Sequence, residues 1–130
     1  MQAPTPGARR SAMWEIDPEG LCSLLRMLRE EYGNPPVHVT ENGYPLPERP
    51  GVDPLEDGER IEYLQAHVEQ ALRARREGSD LRGYFVWSLL DNFEWNLGNR
   101  MRFGLIRVDF ADGTRAWRRS AYWYRDLIRR

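Results

Sequence analysis

A glutamate follows a short stretch of strand-forming residues and directly precedes an Asn-Gly pair. The stretch covers residues 37–40, and Glu41 stands between it and Asn42-Gly43. Because β-branched residues favour an extended strand and Asn-Gly favours a turn, Glu41 is predicted to be the last residue of a strand or the first residue of a loop. A carboxylate in this position is either a solvated turn residue or a functional group, and the rest of the chain has to distinguish the two.

A second group of candidate residues lies in the segment VWSLLDNFEWNLGNRMRFGL, residues 86–105. Trp87 is predicted to lie at the carboxyl end of another strand, and aromatic, acidic and amide side chains follow it closely: Asp91, Asn92, Glu94, Trp95, Arg102 and Phe103. A sugar ring needs this combination, because its C–H face stacks on indole and its hydroxyl groups pair with carboxylates and amides. The alternative is a structural aromatic cluster that closes one end of a barrel.

The hydrophobic periodicity predicts the elements that position these residues. The order is a helix beginning at Asp17-Pro18, a strand, a second helix, a second strand, a short hairpin and a final helix, with the later elements at residues 37–40, 58–77, 81–90, 102–113 and 118–128. In the second helix the predicted buried face carries Ile61, Leu64, Val68 and Leu72. Helices alternating with strands indicate an α/β fold with parallel strands.

The two predicted strands are apolar along nearly their whole length. Such strands are typical of parallel sheets with both faces covered and with neighbours on both edges. Two strands alone do not form a complete sheet of this kind. The sequence is therefore predicted to be a slice of a larger α/β domain.

Composition narrows the classes of function. The chain has 130 residues, 41% of them hydrophobic, and a formal net charge of -1, which argues against binding to nucleic acid or to an anionic membrane. Cys22, the single cysteine, lies in a leucine-rich helical pattern and is predicted to be a buried structural thiol. The two histidines, His38 and His67, lack metal-ligand spacing, so no metal site and no cofactor are predicted.

The N-terminal residues 1–12 are rich in Pro, Gly, Ala and Arg, and are predicted to be a disordered leader preceding a globular segment at 13–130. No apolar run has the length of a membrane span, and the leader lacks the hydrophobic centre of a signal peptide. We therefore expect a cytoplasmic protein.

Several motifs, in order, resemble glycoside hydrolase family 1, the β-glucosidase and β-galactosidase family. They are TENG at 40–43, WSLLDNFEW at 87–95, RFGL at 102–105 and VDF at 108–110, with DPEGL at 17–21 and SAYWY at 120–124. The resemblance implies a (β/α)8 TIM barrel of which this chain holds about the last two βα units. It also implies a β-glucoside or a related oligosaccharide as the ligand.

The same resemblance implies a role for each matching residue. Glu41 corresponds to the catalytic nucleophile of a retaining glycosidase. Trp87 would stack beneath the glycone, and Glu94 would bridge its outer hydroxyl groups. Trp95 would donate its indole N–H to another hydroxyl group, and Phe103 would line the glycone pocket.

Departures from the family pattern limit these implications. The general acid/base of the family lies in an Asn-Glu-Pro tripeptide, and the sequence contains none. The isolated chain is therefore predicted to be inactive unless a partner supplies the missing N-terminal barrel portion. Asn99 stands where a tyrosine is common and Arg118 replaces a frequent lysine; both are predicted to be tolerable changes at the surface or on the aglycone side. The alternative function is that of a truncated, non-catalytic carbohydrate-binding or interaction remnant of the same barrel.

Overall fold

The computed structural model describes residues 7–129. Three helices and six strands are assigned in this range. In chain order they are α1 Pro18–Glu31, β1 Val37–Asn42, β2 Leu46–Pro47, α2 Gly58–Arg76, β3 Leu81–Val86, β4 Met101–Arg102, β5 Ile106–Val108, β6 Arg115–Trp117 and α3 Arg119–Ile128, with a 3₁₀ turn at Trp95–Leu97 between β3 and β4. The order of the long elements is the predicted one.

The strands β1 and β3 pair in parallel, as the sequence predicts. Val37 lies opposite Leu81, and Asn42 lies opposite Val86. β1 is two residues longer than predicted, because the Trp87 amide still donates to the Asn42 carbonyl at 2.9 Å. β3 is shorter than predicted and ends at Val86, because the next residues bond to the segment before β5: Leu105 N donates to Ser88 O, and Ile106 N donates to Leu89 O.

Helices cover one face of this two-stranded sheet. One buried cluster joins Cys22 and Leu25 of α1, two alanines of α2 and Leu81 of β3; Cys22 is buried, as predicted. A second cluster joins α2 and α3 to the segment before β5, through Leu64, Leu105 and Ala121 among others.

One face of the sheet is uncovered in the described residues, as expected for a slice of a larger α/β domain. Phe85 in β3 is 55% exposed and Trp87, directly after it, is 36% exposed. Side chains alternate along a strand, so these residues point away from the face that the helices cover. Within residues 7–129, β1 and β3 pair only with each other. The uncovered face and edges are those a larger sheet would bury.

The buried face of α2 is also rotated from the predicted one. Leu64 is fully buried, but Leu72 is 41% exposed. The residues that α2 buries are Arg60, Tyr63, Leu64, His67, Ala71 and Ala74. Hydrophobic periodicity misses this face because an arginine, a tyrosine and a histidine occupy three of its positions.

A buried ion pair ties the loop after β3 to the start of α3. Arg118 forms two parallel bonds of 2.9 Å to the Asp91 carboxylate. Arg118 also donates to the carbonyls of Gly104 and Pro54, while Asp91 accepts from the amides of Gly104 and Val108. The exposed fractions are 6% for Asp91 and 1% for Arg118. Arg118 was predicted to lie at the surface or on the aglycone side, and its burial rules out the surface position. Asp91 is occupied by structural contacts rather than free for a sugar.

A second buried pair anchors the N-terminus of α2. Asp57 and Arg60 are both fully buried and paired. The Asp57 carboxylate also accepts from the backbone amide of Ser120 at 2.9 Å, and Arg60 donates to the Arg102 carbonyl at 2.7 Å. These contacts lock α2 against α3 and β4.

His67 is a buried histidine on α2. Its Nδ1 lies 2.8 Å from the Tyr63 carbonyl, and its ring centroid lies 3.9 Å from that of Tyr63. Burial lowers the pKa of His67, and this effect outweighs the opposing hydrogen bond and the charges of Asp17 and Glu19. The folded chain therefore favours the neutral imidazole.

The stability of the chain should fall as the pH drops below about 6.5, the pKa of an unfolded histidine. The pKa of His67 is lower in the folded state, so the unfolded state binds more protons in that window and gains stability as the pH falls. Carboxylates with lowered pKa, such as Glu59, act in the same direction only at more acidic pH. Urea unfolding midpoints measured between about pH 7.5 and 5.5 give the change of stability with pH, and His67→Gln should make this change smaller. An unchanged slope in the variant would contradict the assignment.

The N-terminal segment is described in part. Residues 1–6 of the predicted leader lie outside the described residues. Further along, the Arg10 guanidinium pairs with Glu15 at 3.0 Å. In the described part of the chain, no helix has the length and apolar character needed to cross a membrane.

Candidate active site

Glu41 and Trp87 lie at the same edge of the sheet, as the sequence predicts. Glu41 is the penultimate residue of β1, and Trp87 directly follows β3, whose register places Val86 opposite Asn42. Both residues line an open pocket of about 210 Å³, together with Phe103. Three of the five predicted site residues therefore meet at one pocket. Aromatic surfaces beside an exposed carboxylate suit a ligand that has both an apolar face and hydroxyl groups.

Gly43 allows β1 and the segment after β3 to approach closely. A Cβ atom built on Gly43 would overlap the carbonyl oxygen of Trp87. The Trp87–Ser88 peptide, which begins at this carbonyl, is cis. A glycine after Asn42 is thus required by the packing of Trp87 and not only by a turn.

Gly43→Ala should displace Trp87 and lower the free energy of unfolding by about 1 to 3 kcal/mol, the usual cost of overpacking. Gly58→Ala is a matched control, because a Cβ atom at Gly58 meets nothing within 4 Å. Urea unfolding followed by tryptophan fluorescence measures both effects. Equal urea unfolding midpoints for Gly43→Ala and Gly58→Ala would show that β1 and the segment after β3 can move apart to accommodate a methyl group.

Two tyrosines hold the Asn42 side chain behind Glu41. The Tyr84 hydroxyl donates to Asn42 Oδ1 at 2.6 Å, and Asn42 Nδ2 donates to the Tyr63 hydroxyl at 3.5 Å. Tyr84 lies on β3 and Tyr63 on α2, so the end of β1 is tied to both neighbouring elements. Burial raises the pKa of both tyrosines, which keeps their hydroxyl groups protonated.

Sequence reasoning missed two residues of the pocket. Trp14 and Tyr63 also line it, and the Trp14 ring stacks on Phe103 with 6.1 Å between centroids and 28° between planes. Trp14 precedes α1 and is far from Phe103 in the chain, so spacing gives no signal for this contact. Tyr63 had a signal in its i,i+4 relation to His67, which marks a polar aromatic face on α2.

Glu94 and Trp95 are not among the residues that line this pocket. The Glu94 carboxylate accepts from the Asn92 amide at 2.8 Å, and its backbone amide bonds to the Gly98 carbonyl. Trp95 begins the 3₁₀ turn and is 84% exposed. The predicted sugar contacts of these two residues stay predictions.

The described residues contain no group of three or more His, Cys, Asp or Glu side chains that would hold a metal ion. A carboxylate at a sheet edge, facing aromatic rings, can attack an electrophilic carbon or hold a hydroxyl group.

Comparison with known proteins agrees with the motifs. A family model described as glycosyl hydrolase family 1 matches residues 3–130. Beta-glucosidase A of Thermotoga maritima is 46% identical over 117 residues, which cover 89% of this chain and 26% of that protein. A bifunctional beta-D-glucosidase/beta-D-fucosidase of Bifidobacterium breve is 44% identical over 130 residues, which cover 96% of this chain and 28% of that protein.

Solved structures give the same relationship. A family 1 β-glucosidase from Thermotoga maritima in complex with isofagomine lactam matches with a TM-score of 0.90 and 44% identity, over 97% of this chain and 29% of that one. A psychrophilic β-glucosidase from Micrococcus antarcticus matches with a TM-score of 0.89 and 45% identity, over 96% of this chain and 27% of that one. The chain thus spans less than a third of the length of these relatives and corresponds to part of their barrel.

Proposed function

The chain belongs to glycosyl hydrolase family 1, and from this premise we propose that it takes part in the retaining hydrolysis of terminal β-D-glucosides, with Glu41 as the nucleophile. In this proposal β1, α2, β3 and α3 are about the last two βα units of a (β/α)8 barrel. The chain contributes the nucleophile and much of the wall that holds the glycone.

The observation that carries the proposal is the position of Glu41 beside Trp87 and Phe103 in one open pocket. The carboxyl ends of parallel strands are where barrel enzymes collect their reacting groups. A sugar ring stacked on Trp87 would place its polar edge toward Glu41. The names of the relatives, which are β-glucosidases, support a glucoside as the substrate class.

The proposed reaction proceeds in two steps. In the first, a Glu41 carboxylate oxygen bonds to the anomeric carbon while the bond from that carbon to the leaving oxygen breaks, and a general acid protonates the leaving oxygen. In the second, water attacks the anomeric carbon, the bond from that carbon to the Glu41 oxygen breaks and frees the carboxylate, and the same group takes the proton of the water. Each step inverts the configuration at the anomeric carbon, so the product keeps the configuration of the substrate.

The general acid/base must come from outside the 130 residues, because the sequence has no Asn-Glu-Pro tripeptide. In a retaining enzyme its carboxyl group lies about 5 Å from the nucleophile. We propose that the remaining barrel units supply it, and that they also cover the exposed face of β3. In the assembled pocket, Glu94 and Trp95 would contact the outer hydroxyl groups of the glycone.

Complementation tests this function. The chain is mixed with the N-terminal part of Thermotoga maritima β-glucosidase A that precedes the matching region, and hydrolysis of an aryl β-glucoside is followed. We expect no turnover from either piece alone and turnover with retained configuration from the pair. The isolated chain lacks acid assistance, worth about 10² to 10⁴ in rate, and the positioning that the other barrel units give.

The absence of the Asn-Glu-Pro tripeptide favours a second candidate, a non-catalytic carbohydrate-binding or interaction protein that uses the same pocket. In that case the mixture would bind an aryl glucoside but release no product. A stable complex that binds ligand without turnover would decide for this candidate.

A further inference from the structure

Tyr63 reaches the Glu41 pocket from α2 rather than from either strand. It lines the pocket and is only 7% exposed. Its ring packs against those of Tyr44, at 5.3 Å between centroids, and His67, at 3.9 Å. A nearly buried ring packed against two others is held in one orientation, so its hydroxyl group has a defined position at the pocket wall.

The Asn42 amide fixes the hydrogen-bonding role of this hydroxyl group. The contact of 2.6 Å between the Tyr84 hydroxyl and Asn42 Oδ1 is typical of an O–H···O bond and shorter than an ordinary N–H···O bond. The amide oxygen therefore faces Tyr84, and the amide nitrogen faces Tyr63 at 3.5 Å. An amide N–H can only donate, so the Tyr63 oxygen accepts.

Trp14 lines the same pocket as Tyr63. Its indole N–H is likewise only a donor. Burial raises the pKa of Tyr63, and the interactions with Trp14 and Asn42 oppose this larger effect, as expected for donors that stabilise a phenolate. Neither partner accepts the Tyr63 proton.

We propose that Tyr63 donates a hydrogen bond from its hydroxyl group to a hydroxyl oxygen of the glycoside bound in the Glu41 pocket. This inference rests on the proposed function and adds a ligand contact from α2. A nearly buried O–H without an acceptor costs free energy, and a ligand oxygen in the pocket satisfies it. In the resulting chain of hydrogen bonds, Tyr84 donates to Asn42, Asn42 donates to Tyr63, and Tyr63 donates to the ligand.

Titration of the full chain with phenyl β-D-glucoside, followed by NMR, tests the contact. Tyr63→Phe keeps the ring and removes only the hydroxyl group, so it should raise the dissociation constant about 3- to 10-fold. Tyr44→Phe is the matched control: Tyr44 packs on Tyr63, but its own hydroxyl donates to Glu59 at 3.1 Å and it does not line the pocket. This variant should bind as the unchanged chain does.

Deoxy analogues of the glucoside separate a direct contact from a structural effect. One analogue, which lacks the hydroxyl group that accepts from Tyr63, should bind equally to the chain and to Tyr63→Phe. The inference is overturned if every analogue binds Tyr63→Phe more weakly than the unchanged chain by the same factor. It is also overturned if Tyr63→Phe binds phenyl β-D-glucoside as tightly as the unchanged chain does. It is also overturned if the full chain binds no glucoside up to the solubility limit. The hydrolysis proposal is judged separately, by complementation.

Discussion

Replacing Arg118 with methionine should lower the free energy of unfolding of the chain by about 3 to 5 kcal/mol. The substitution leaves the Asp91 carboxylate buried without its charged partner, and the carbonyls of Gly104 and Pro54 each lose a donor. An uncompensated buried charge is among the costliest defects that a single substitution produces. Urea unfolding followed by tryptophan fluorescence measures the loss.

Arg118→Lys separates charge from geometry in this pair. A lysine keeps the positive charge but cannot form two parallel bonds to Asp91 and also reach the Pro54 carbonyl. The urea unfolding midpoint of Arg118→Lys should fall between those of the unchanged chain and the methionine variant. Arg82→Ala, which removes an exposed pair with Asp80, is the control and should leave the midpoint unchanged. A methionine variant as stable as this control would show that the buried pair contributes nothing.

The same pair shows where sequence reasoning stops. Asp91 and Arg118 are 27 residues apart, and each looks like an ordinary polar residue in its own segment. Their contact depends on how the loop after β3 folds back onto the start of α3, which no local periodicity encodes. Arg118, which looks like a surface residue in the sequence, therefore makes a central packing contact.

Local signals predicted the elements well because their causes are local. The Asp17 side chain caps α1 by accepting from the Gly20 amide, and proline follows it at the first helical position, as the sequence suggests. The parallel pairing of β1 and β3 followed from the alternation of helices and strands. The buried face of α2 was harder to predict, because Arg60 and His67 are buried through specific partners rather than through hydrophobicity.

The residues of the candidate site also fall into those that local signals predict and those that they do not. Glu41 and Trp87 were predictable because each follows a strand, and parallel strands end at one edge. Trp14 was not, because it comes from another element and meets the pocket only after packing. Tyr63 had only its spacing to His67 on α2 as a signal, and that spacing does not point to the pocket. Trp95 begins a 3₁₀ turn and Glu94 directly precedes it, and this segment is closed by the bond from the Glu94 amide to the Gly98 carbonyl rather than positioned by a strand. Their part in the site stays a prediction.

Glu41→Gln should abolish turnover in the complemented enzyme, with a loss on the order of 10⁴- to 10⁶-fold, as when another covalent catalyst loses its nucleophile. The amide has nearly the same shape as the carboxylate but cannot form a glycosyl ester with the anomeric carbon. Glu69→Gln, at an exposed position of α2, is the matched control and should retain full activity. The rate constant for aryl β-glucoside hydrolysis measures both variants.

Trapping the intermediate locates the nucleophile independently of the rate. An activated 2-fluoro-glucoside slows the second step, so a sugar ester should accumulate on the peptide that contains Glu41 and be visible by mass spectrometry. The ester should be absent from Glu41→Gln, while the control Glu69→Gln should be labelled as the unchanged chain is. Because Trp87 and Phe103 share the pocket with Glu41, ligand binding should persist in Glu41→Gln even though turnover is lost. Label on any other carboxylate, or an unchanged rate in Glu41→Gln, would show that Glu41 is not the nucleophile.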